Sequence, residues 1–442
     1  MAKTKNDPTL PDWWQREKQR RQNWILLFLV TLGILIAYFY AISFRGRIGT
    51  VRGIDFDSRS FIAFIHQEKD GNTTFYAVRS DGSDLRRLTP PDDKSNKQDP
   101  TWTADGKSLL YSSNRSDSKV MQVYVLGQGE PRQLTYGTGN KFQPMASSDG
   151  KHILFLTQGV VKTVLLNGND VDQVLPVPSA GSSVGNDQGS TSDLPTSVEP
   201  KGPFLRASFA PDGVSIVAVQ AMTAEDAPTQ GDITSNDQVV RVLHPNVKGN
   251  SPLDFGREAF ISWEPNGTRL ATAFTEREMK DPANPASKSV VSNGIHLWDF
   301  SGKDSKPKGS TLIATAGGLI QMHDIAWSPD GKFIAFEVWE TPDENTRTLR
   351  GVAVSSAVQG GLISTKEDVK AILKQLMLKA DAKGIPSNPK WSPDGARLLY
   401  ELRRPDGGHD LCVINSDGTN PQNLTEKLGG DNTQSSWAPM KP

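Results

Sequence analysis

The sequence almost lacks cysteine, because Cys412 is the only thiol in 442 residues and no intramolecular disulfide can form. Large bacterial envelope domains often lack disulfides too, so this absence leaves the compartment open. The chain also lacks a basic excess, since 49 Lys and Arg stand against 50 Asp and Glu. Nucleic-acid-binding proteins usually carry such an excess, and we therefore expect no nucleic-acid partner.

Charge is missing altogether from residues 24–44, WILLFLVTLGILIAYFYAISF. At about 1.5 Å per residue, a helix of this length crosses a hydrocarbon core of about 30 Å. Aromatic residues stand at both of its ends, as in a membrane interface belt. The apolar run is longer than that of a signal peptide, and no small-residue cleavage motif closes it. The stretch therefore predicts an uncleaved, single-pass transmembrane helix in a lipid bilayer.

More Lys and Arg residues precede this span than follow it. This bias favours a cytoplasmic N-terminus. We therefore predict a cytoplasmic segment at residues 1–23 in a protein of the cell membrane. The rest of the chain, residues 45–442, is expected outside the cytoplasm, in the periplasm or beyond.

A short motif recurs along this part of the chain. IAWSPDGKFIAF (325–336) is repeated as PTWTADGKSLLYS (100–112), ISWEPNGTRLATAF (261–274) and PKWSPDGARLLYE (389–401). Asp-Gly and Asn-Gly tolerate positive φ and reverse the chain between strands. The apolar run after each turn is typical of a buried strand. Several copies continue into a third strand and a fourth that ends in Leu-Thr.

Four strands in each repeat predict an all-β fold, a β-propeller of four-stranded blades that follows the transmembrane helix. We count seven blades, with six or eight left open because several outer strands are irregular. The seven lie near 54–90, 99–138, 141–178, 204–256, 259–316, 322–364 and 387–428. The half copy SSWAP (435–439) predicts a strand that joins the first blade and closes the ring.

The W-S-P-D-G-K-x-I-A-F unit and the following S-D-G-x-x-x-x-x-L-T segment resemble the PD40 (WD40-like) repeat of TolB-like propellers. The resemblance covers the chain from about residue 53 onward and is specific for the fold. Similar repeats form the propellers of prolyl-oligopeptidase-type enzymes. From the TolB-type resemblance we expect the propeller fold and a general habit of binding envelope proteins. This chain differs from that family by its predicted membrane anchor.

Two segments interrupt the repeats. Residues 176–203 are rich in Ser, Gly and Pro and predict a mobile loop between blades 3 and 4. Residues from about 365 to 383 carry an apolar stripe at helical spacing, which predicts an inserted helix. Such a helix packs on the rim of the propeller or docks a partner, and both interpretations stay open.

The motifs in the sequence that resemble catalytic or ligand-binding sites lack the context that such sites need. GSSVG (181–185) has the G-x-S-x-G pattern but lies in the predicted loop, without the strand and helix that a hydrolase elbow needs. DGKS (105–108) lacks the first glycine of a phosphate-binding loop. The six histidines show no metal-ligand spacing. We therefore predict no catalytic, cofactor-binding or metal-binding residues, and no cofactor.

Aromatic and polar residues recur at fixed places in the repeat. Packing between blades explains the tryptophans better than sugar stacking does. They are Trp102, Trp263, Trp327, Trp391 and Trp437. Residues three positions before this place are expected to begin the innermost strands and to surround the mouth of the central channel. They are Gly53, Asp99, Gln143, Arg206, Phe260, Asp324 and Asn388. Such a ring is a hydrated rim or a docking face for a partner segment.

The predicted function is that of a non-catalytic, membrane-anchored scaffold or accessory subunit. Its expected partner is another envelope or membrane protein. The alternative is a propeller enzyme, a carbohydrate lyase or hydrolase with its site at the channel mouth. Convergence of three or more His, Asp or Glu side chains on a metal would favour that alternative.

Overall fold

The chain divides into two compact units, Met1–Thr50 and Val51–Pro442, and every residue described below belongs to the second. The computed structural model describes residues 61–116, 119–127, 129–167, 173–175, 203–221, 238–243, 253–254, 258–265, 267–279, 288–301, 307–316, 320–341, 346–357, 361–363, 373–374 and 376–439. The predicted segments 1–23 and 24–44 lie outside these residues, as does the predicted loop apart from Pro203. Within these ranges no helix has the length and hydropathy needed to cross a membrane.

The described strands form seven separate sheets, one for each blade. Blade 1 holds β1 (Phe61–Gln67), β2 (Thr73–Arg79) and β3 (Arg86–Arg87). Blade 2 holds β4 (Lys97–Trp102), β5 (Leu109–Ser113), β6 (Gln122–Leu126) and β7 (Arg132–Gln133). Blade 3 holds β8 (Lys141–Ala146), β9 (His152–Thr157), β10 (Val160–Leu165) and β11 (Gln173–Leu175). Blade 4 holds β12 (Phe204–Phe209), β13 (Ile216–Ala221), β14 (Gln238–Leu243) and β15 (Leu253–Asp254).

Blades 5 and 6 contain the longest of the described strands. Blade 5 holds β16 (Glu258–Trp263), β17 (Arg269–Met279), β18 (Lys288–Asp299) and β19 (Lys308–Ala316). Blade 6 starts with β20 (Ile320–Trp327), β21 (Phe333–Glu340) and β22 (Thr348–Ser356). Next, β23 (Gly361–Ile363) pairs in parallel with β19 of blade 5, and β24 (Leu378–Lys379) completes blade 6. Blade 7 holds β25 (Ile385–Trp391), β26 (Arg397–Arg403), β27 (His409–Asn415) and β28 (Gln422–Asn423), and β29 (Asp431–Trp437) follows.

The ring closes through β29, which pairs antiparallel with β1 and is the innermost strand of blade 1. Trp437 stands opposite Ile62, and Asn432 stands opposite His66. The SSWAP segment thus contributes to the first blade, as predicted from its repeat position. The all-β propeller, the count of seven and the four-stranded blades are confirmed, with β23 as a fifth strand on blade 5.

The recurring turn is held by its own side chains. In blade 6 the Ser328 hydroxyl donates to Asp330 Oδ1 at 2.6 Å, and the same oxygen accepts the backbone N–H of Lys332 at 3.1 Å. Gly331 follows with a φ of 69°, which a glycine adopts without steric cost. The turn delivers β21, whose segment Ile334–Val338 is buried. The quoted repeat is therefore a strand-turn-strand unit.

The predicted inserted helix is shorter at its C-terminal side than expected. Of the predicted range, residues 365–372 and 375 lie outside the described residues, and Leu373 and Lys374 are helical. The expected end near 383 is wrong, because Leu378 and Lys379 pair with β22 as the outer strand of blade 6. Leu376 and Leu378 are buried in the blade cores, so the apolar stripe there reflects blade packing.

Candidate functional site

Each innermost strand has a β-bulge, and in six of the seven the bulge carries a non-glycine residue with positive φ. In blade 2, Gln98 pairs with Ser112 but the next pair is Thr101 with Leu110, so the intervening Asp99 lies in the bulge. The same break occurs in every inner strand. The positive-φ residues are Asp99 (54°), Gln143 (51°), Phe260 (46°), Asp324 (46°), Asn388 (51°) and Gln434 (50°). Non-glycine residues rarely adopt this conformation, so its recurrence marks a built feature.

Five of the six predicted rim residues from Asp99 to Asn388 fall at these bulges, whereas in β12 the unpaired residue is Leu205 and the predicted Arg206 pairs with Val219 directly after it. They lie inside the inner strands, which corrects the expectation that they begin them. The reason is that pairing continues on both sides of the bulge, as with Lys97 opposite Ser113. In blade 1 the equivalent residue is Gln434, because β29 supplies the inner strand, whereas Gly53 lies outside the described residues. Gln434 stands three residues before Trp437, and this spacing could have identified it from the sequence.

Hydrogen bonds link successive bulges around the channel. Gln434 Oε1 accepts the backbone N–H of Asp99 at 2.6 Å. Asp99 Oδ2 in turn accepts the backbone N–H of Gln143 at 2.9 Å. Gln143 Nε2 then donates to the carbonyl of Leu205 at 3.3 Å. These bonds tie blades 1, 2, 3 and 4 into a polar arc.

Two glutamates extend this arc to blades 6 and 7. Glu337 Oε1 accepts the backbone N–H of Asn388 at 2.8 Å. Glu401 Oε1 accepts both Asn388 Nδ2 at 2.9 Å and the backbone N–H of Gln434 at 3.0 Å. Sequence reasoning missed both glutamates. Their signal is a shared place in the repeat, since each ends the apolar run after its SPDG turn.

The other side of the channel is aromatic. The Arg206 guanidinium carbon lies 4.3 Å from the centre of the Phe260 ring. Phe260 stacks on His323 with centroids 4.7 Å apart, and His323 lies 5.5 Å from Trp339. Trp339 Nε1 donates to Glu337 Oε2 at 2.7 Å, which joins this arc to the polar one. Side chains of all seven blades thus form one continuous ring of contacts.

Burial sets the protonation of the acidic groups in the ring. It raises the pKa of Glu337 to about 7, and the like charge of Asp324 acts in the same direction. Burial also raises the pKa of Asp324 and of Asp99. The pKa of Lys390 is lowered by burial, against the attraction of Glu401 and Asp324. A protonatable carboxyl and a desolvated amine therefore stand near each other in the channel.

The imidazole in the aromatic arc is held neutral. Burial, with the positive charges of Arg347 and Arg206, lowers the pKa of His323 to about 4. A neutral imidazole stacks on Phe260 without the cost of a desolvated cation. His323 thus serves the ring as a flat aromatic surface at neutral pH.

A cavity of about 620 Å³ opens beside the ring, at the end of the propeller where the inner strands of blades 2, 3 and 4 begin. Amide side chains of Gln98, Asn140, Gln143 and Gln158 line it, together with Phe142 and Leu205. Asp99 is the one charged residue in this lining, and its carboxylate accepts the backbone N–H of Gln143. The rest of the cavity offers donors, acceptors and apolar contacts. Such a surface suits a polypeptide or another polar chain.

The repeat tryptophans lie one layer outside the ring. Trp102 Nε1 donates to the carbonyl of Ser436 at 3.0 Å, Trp391 Nε1 to Ala326 at 3.1 Å, and Trp437 Nε1 to Lys390 at 3.2 Å. Each bond crosses to the inner strand of the preceding blade. Trp327 is buried, and the guanidinium of Arg269 lies 4.8 Å from its ring centre. Trp263 is partly buried and packs against the valines of blade 4.

Chemistry at the ring is limited by the hydrogen bonds that occupy it. Asp99, Glu337 and Glu401 each accept a bulge N–H from the next blade. Across the described ranges, no group of three or more His, Cys, Asp or Glu residues could hold a metal ion. The arrangement is therefore suited first to holding the shape of the mouth.

Seven blades closed by a strand from near the end of the chain define the class of the protein, a β-propeller. Comparison with protein-family models gives no match, and comparison with curated proteins gives none either. Solved structures share the fold. TolB from Acinetobacter baumannii matches with a TM-score of 0.44 and 16% identity, over 86% of this chain and 67% of that chain.

Two enzymes are similar to the chain to the same degree. An oligogalacturonate lyase in complex with manganese matches with a TM-score of 0.47 and 14% identity, over 83% of this chain and 85% of that chain. A puromycin hydrolase matches with a TM-score of 0.50 and 12% identity, over 85% of this chain and 53% of that chain. The chain thus spans about half the length of that hydrolase. At these identities the likeness shows the fold alone.

Proposed function

We propose that this chain is a non-catalytic scaffold that binds another envelope or membrane protein at the mouth of its channel. Residues 24–44 anchor it in a membrane, with residues 1–23 in the cytoplasm and the propeller on the other side. The proposal rests on the ring of contacts that links the bulges of the inner strands. Its acidic groups are engaged in holding neighbouring blades, and the cavity beside it presents amides and apolar groups.

The ring supports binding because it is rigid where it meets the cavity. Backbone bulges are costly unless their surroundings fix them, and here the side chains of adjacent blades bind the bulge N–H groups. A surface fixed in this way loses little conformational entropy when a partner docks. Gln143 belongs to both features, since its backbone N–H is bound in the ring while its side chain lines the cavity.

Site-specific photocrosslinking tests this proposal. A photoreactive residue at Leu205, which lines the cavity and is 37% exposed, is expected to capture the same protein reproducibly from intact membranes. The matched control is Val214, 48% exposed, which lies at the turn after β12 and therefore at the far end of the same blade. Equal capture from both positions, or none from Leu205, contradicts the proposal.

The second candidate is a carbohydrate lyase or hydrolase at the channel mouth, and one observation favours it. Glu337, with its pKa raised to about 7, lies near Asp324 and thus forms part of a carboxyl pair of the kind that acid–base chemistry uses. Turnover of an acidic or neutral oligosaccharide by the full chain, abolished in Glu337→Gln, would establish it. Turnover that persists in Glu337→Gln would show that the carboxyl pair of Glu337 and Asp324 does not catalyse the reaction.

A further inference from the structure

Arg206 carries an accessible positive charge at one end of the aromatic arc, the series of rings formed by Phe260, His323 and Trp339. Arg206 is exposed, and its guanidinium lies over the ring of Phe260 at 4.3 Å. Within the ranges that the structure describes, no carboxylate lies at salt-bridge distance from it, although its charge acts on the buried carboxyl of Asp324. Stacking fixes the plane of the guanidinium, so its N–H groups are oriented before a ligand arrives.

A second guanidinium acts on the same place. Arg347 is exposed just before β22, and its charge acts with burial and with the charge of Arg206 to lower the pKa of His323. Two cations therefore act on His323, and the buried carboxyl of Asp324, whose pKa is raised by burial, is the acidic group that interacts with Arg206. This part of the mouth attracts an anion.

The two residues that precede Arg206 in the chain line the cavity beside the ring. Leu205 and Phe204 precede Arg206 on β12, and both line the cavity with Gln98, Gln143 and Gln158. Primary amides both donate and accept hydrogen bonds, which is what the backbone of an extended polypeptide requires. A ligand with a carboxylate on Arg206 would place its adjoining backbone among these amides.

We propose that the channel mouth binds an extended acidic segment of a partner polypeptide, with a carboxylate on Arg206 and the neighbouring backbone in the amide-lined cavity. This inference rests on the proposed scaffold function and names the chemistry of its partner. Charge complementarity selects the occupant, because a planar guanidinium matches a carboxylate through two parallel hydrogen bonds. The apolar contacts of Phe142 and Leu205 then accommodate side chains beside the acidic residue.

Fluorescence anisotropy with the full chain in detergent micelles tests the inference. The probe is a fluorescein-labelled peptide of about ten residues in which Glu alternates with Ala, long enough to reach from Arg206 across the cavity. Its control carries Gln in place of Glu. We expect the Glu peptide to bind at least about tenfold more tightly, and Arg206→Gln to remove most of that difference, because the charge-assisted pair is lost.

Three further variants distinguish binding at Arg206 from a general effect of surface charge. Arg403→Gln removes an exposed arginine at the mouth end of blade 7 and is expected to change binding less than about twofold, since screened surface charges add little. Arg206→Lys keeps the charge and is expected to bind at an intermediate level. Phe260→Leu removes the ring beneath the guanidinium and is expected to weaken binding in the same direction as Arg206→Gln. Unchanged thermal unfolding of each variant shows that the fold is intact.

Equal binding of the Glu and Gln peptides overturns the inference, and so does full binding by Arg206→Gln. Inorganic phosphate that displaces the peptide at low millimolar concentration would show recognition of any anion and overturn the polypeptide part. The crosslink at Leu205 separates this inference from the scaffold function. Capture of the same protein by wild type and by Arg206→Gln leaves the scaffold standing and overturns the acidic contact.

Discussion

The backbone N–H of Asn388 donates to Glu337 Oε1 at 2.8 Å, across the boundary between blades 7 and 6. Asn388 has a φ of 51°, which turns its N–H away from its own blade and toward blade 6. Glu337 is 4% exposed, so this bond forms in a desolvated place where a lost partner is costly. The contact between blades 6 and 7 therefore depends on the protonation state of the Glu337 carboxyl.

The stability of the propeller is therefore expected to depend on Glu337 as pH changes. The pKa of Glu337 rises from 4.5 in the unfolded chain to about 7 in the fold. Between these values the folded state keeps a proton that the unfolded state has lost. Stability from this group thus falls as pH rises through the window, by roughly 3 kcal/mol at most. Above both values the contribution is constant.

The comparison that isolates this effect is wild type against Glu337→Gln, since the amide oxygen still accepts the Asn388 N–H. Urea unfolding is measured near pH 5 and near pH 8. We expect the free energy of unfolding to drop more between these conditions in wild type than in the variant. Identical drops in the two proteins would assign the pH dependence to other groups.

Removing an acceptor from the ring is expected to destabilise the fold. In Asp99→Ala the backbone N–H of Gln143 loses its partner in a half-buried bulge, which costs about 1–3 kcal/mol. Asp92→Ala is the control, because Asp92 is an exposed aspartate of the connection that leads into β4. Its effect is expected to lie within about 0.5 kcal/mol. Chemical denaturation of both variants measures the difference, and equal values would remove the ring bond as a source of stability.

The bonds between blades made by tryptophan can be tested in the same way. Trp391→Phe removes the hydrogen bond from Nε1 to the carbonyl of Ala326 and is expected to cost about 1 kcal/mol more than Trp263→Phe. Trp263 Nε1 is buried, and the described residues offer it no hydrogen-bond partner, so its loss removes ring volume alone. A larger effect at Trp263 would show that packing, and not the bond, controls this layer.

Closure of the ring depends on β29. A chain that stops before Asp431 leaves β1 as an open edge and exposes Phe61 and Ile62, which are fully buried beneath it. We expect such a chain to lose cooperative unfolding and to aggregate through the free edge. A chain that stops after Pro439 keeps β29 and is expected to unfold like wild type. Cooperative unfolding of the shorter chain, followed by circular dichroism, would contradict a role for this closure.

The proposed anchor has a direct assay. Residues 24–44 are expected to keep the chain in the membrane pellet during alkaline carbonate extraction, because an apolar helix of this length inserts stably. Protease added from outside the cytoplasm is expected to digest a loop of the propeller and to spare residues 1–23. A variant with two arginines inside 24–44 should move to the soluble fraction. Retention of that variant in the pellet would indicate another means of attachment.

The fold could be predicted from the sequence because each repeat contains its own local physics. Asp330 and Gly331 specify a turn without reference to any other blade, and the same pattern marks the blades in order. The sequence also located Asp99 and Asn388, because they keep a fixed distance to the repeat tryptophan. Their positive φ was not predictable, since a bulge is set by the register between two strands.

The aromatic arc escaped prediction for a different reason. Arg206, Phe260 and His323 come from three different blades and touch only when the ring is assembled. No spacing rule connects a guanidinium to a ring in the next repeat. Glu337 and Glu401 were equally hidden, because their hydrogen bonds reach bulges in the following blades.

The pairing of β29 with β1 also sets the order in which the molecule can mature. His66 Nδ1 meets Asn432 Oδ1 at 2.9 Å although the two residues are 366 positions apart in the chain. During synthesis the first blade must therefore wait, with its innermost position empty, until the last repeat has been made. Six blades can stack one after another as the chain emerges, but the circle forms in a single final step. In any chain threaded unfolded through a membrane, the ring closes only after β29 has followed the other blades across.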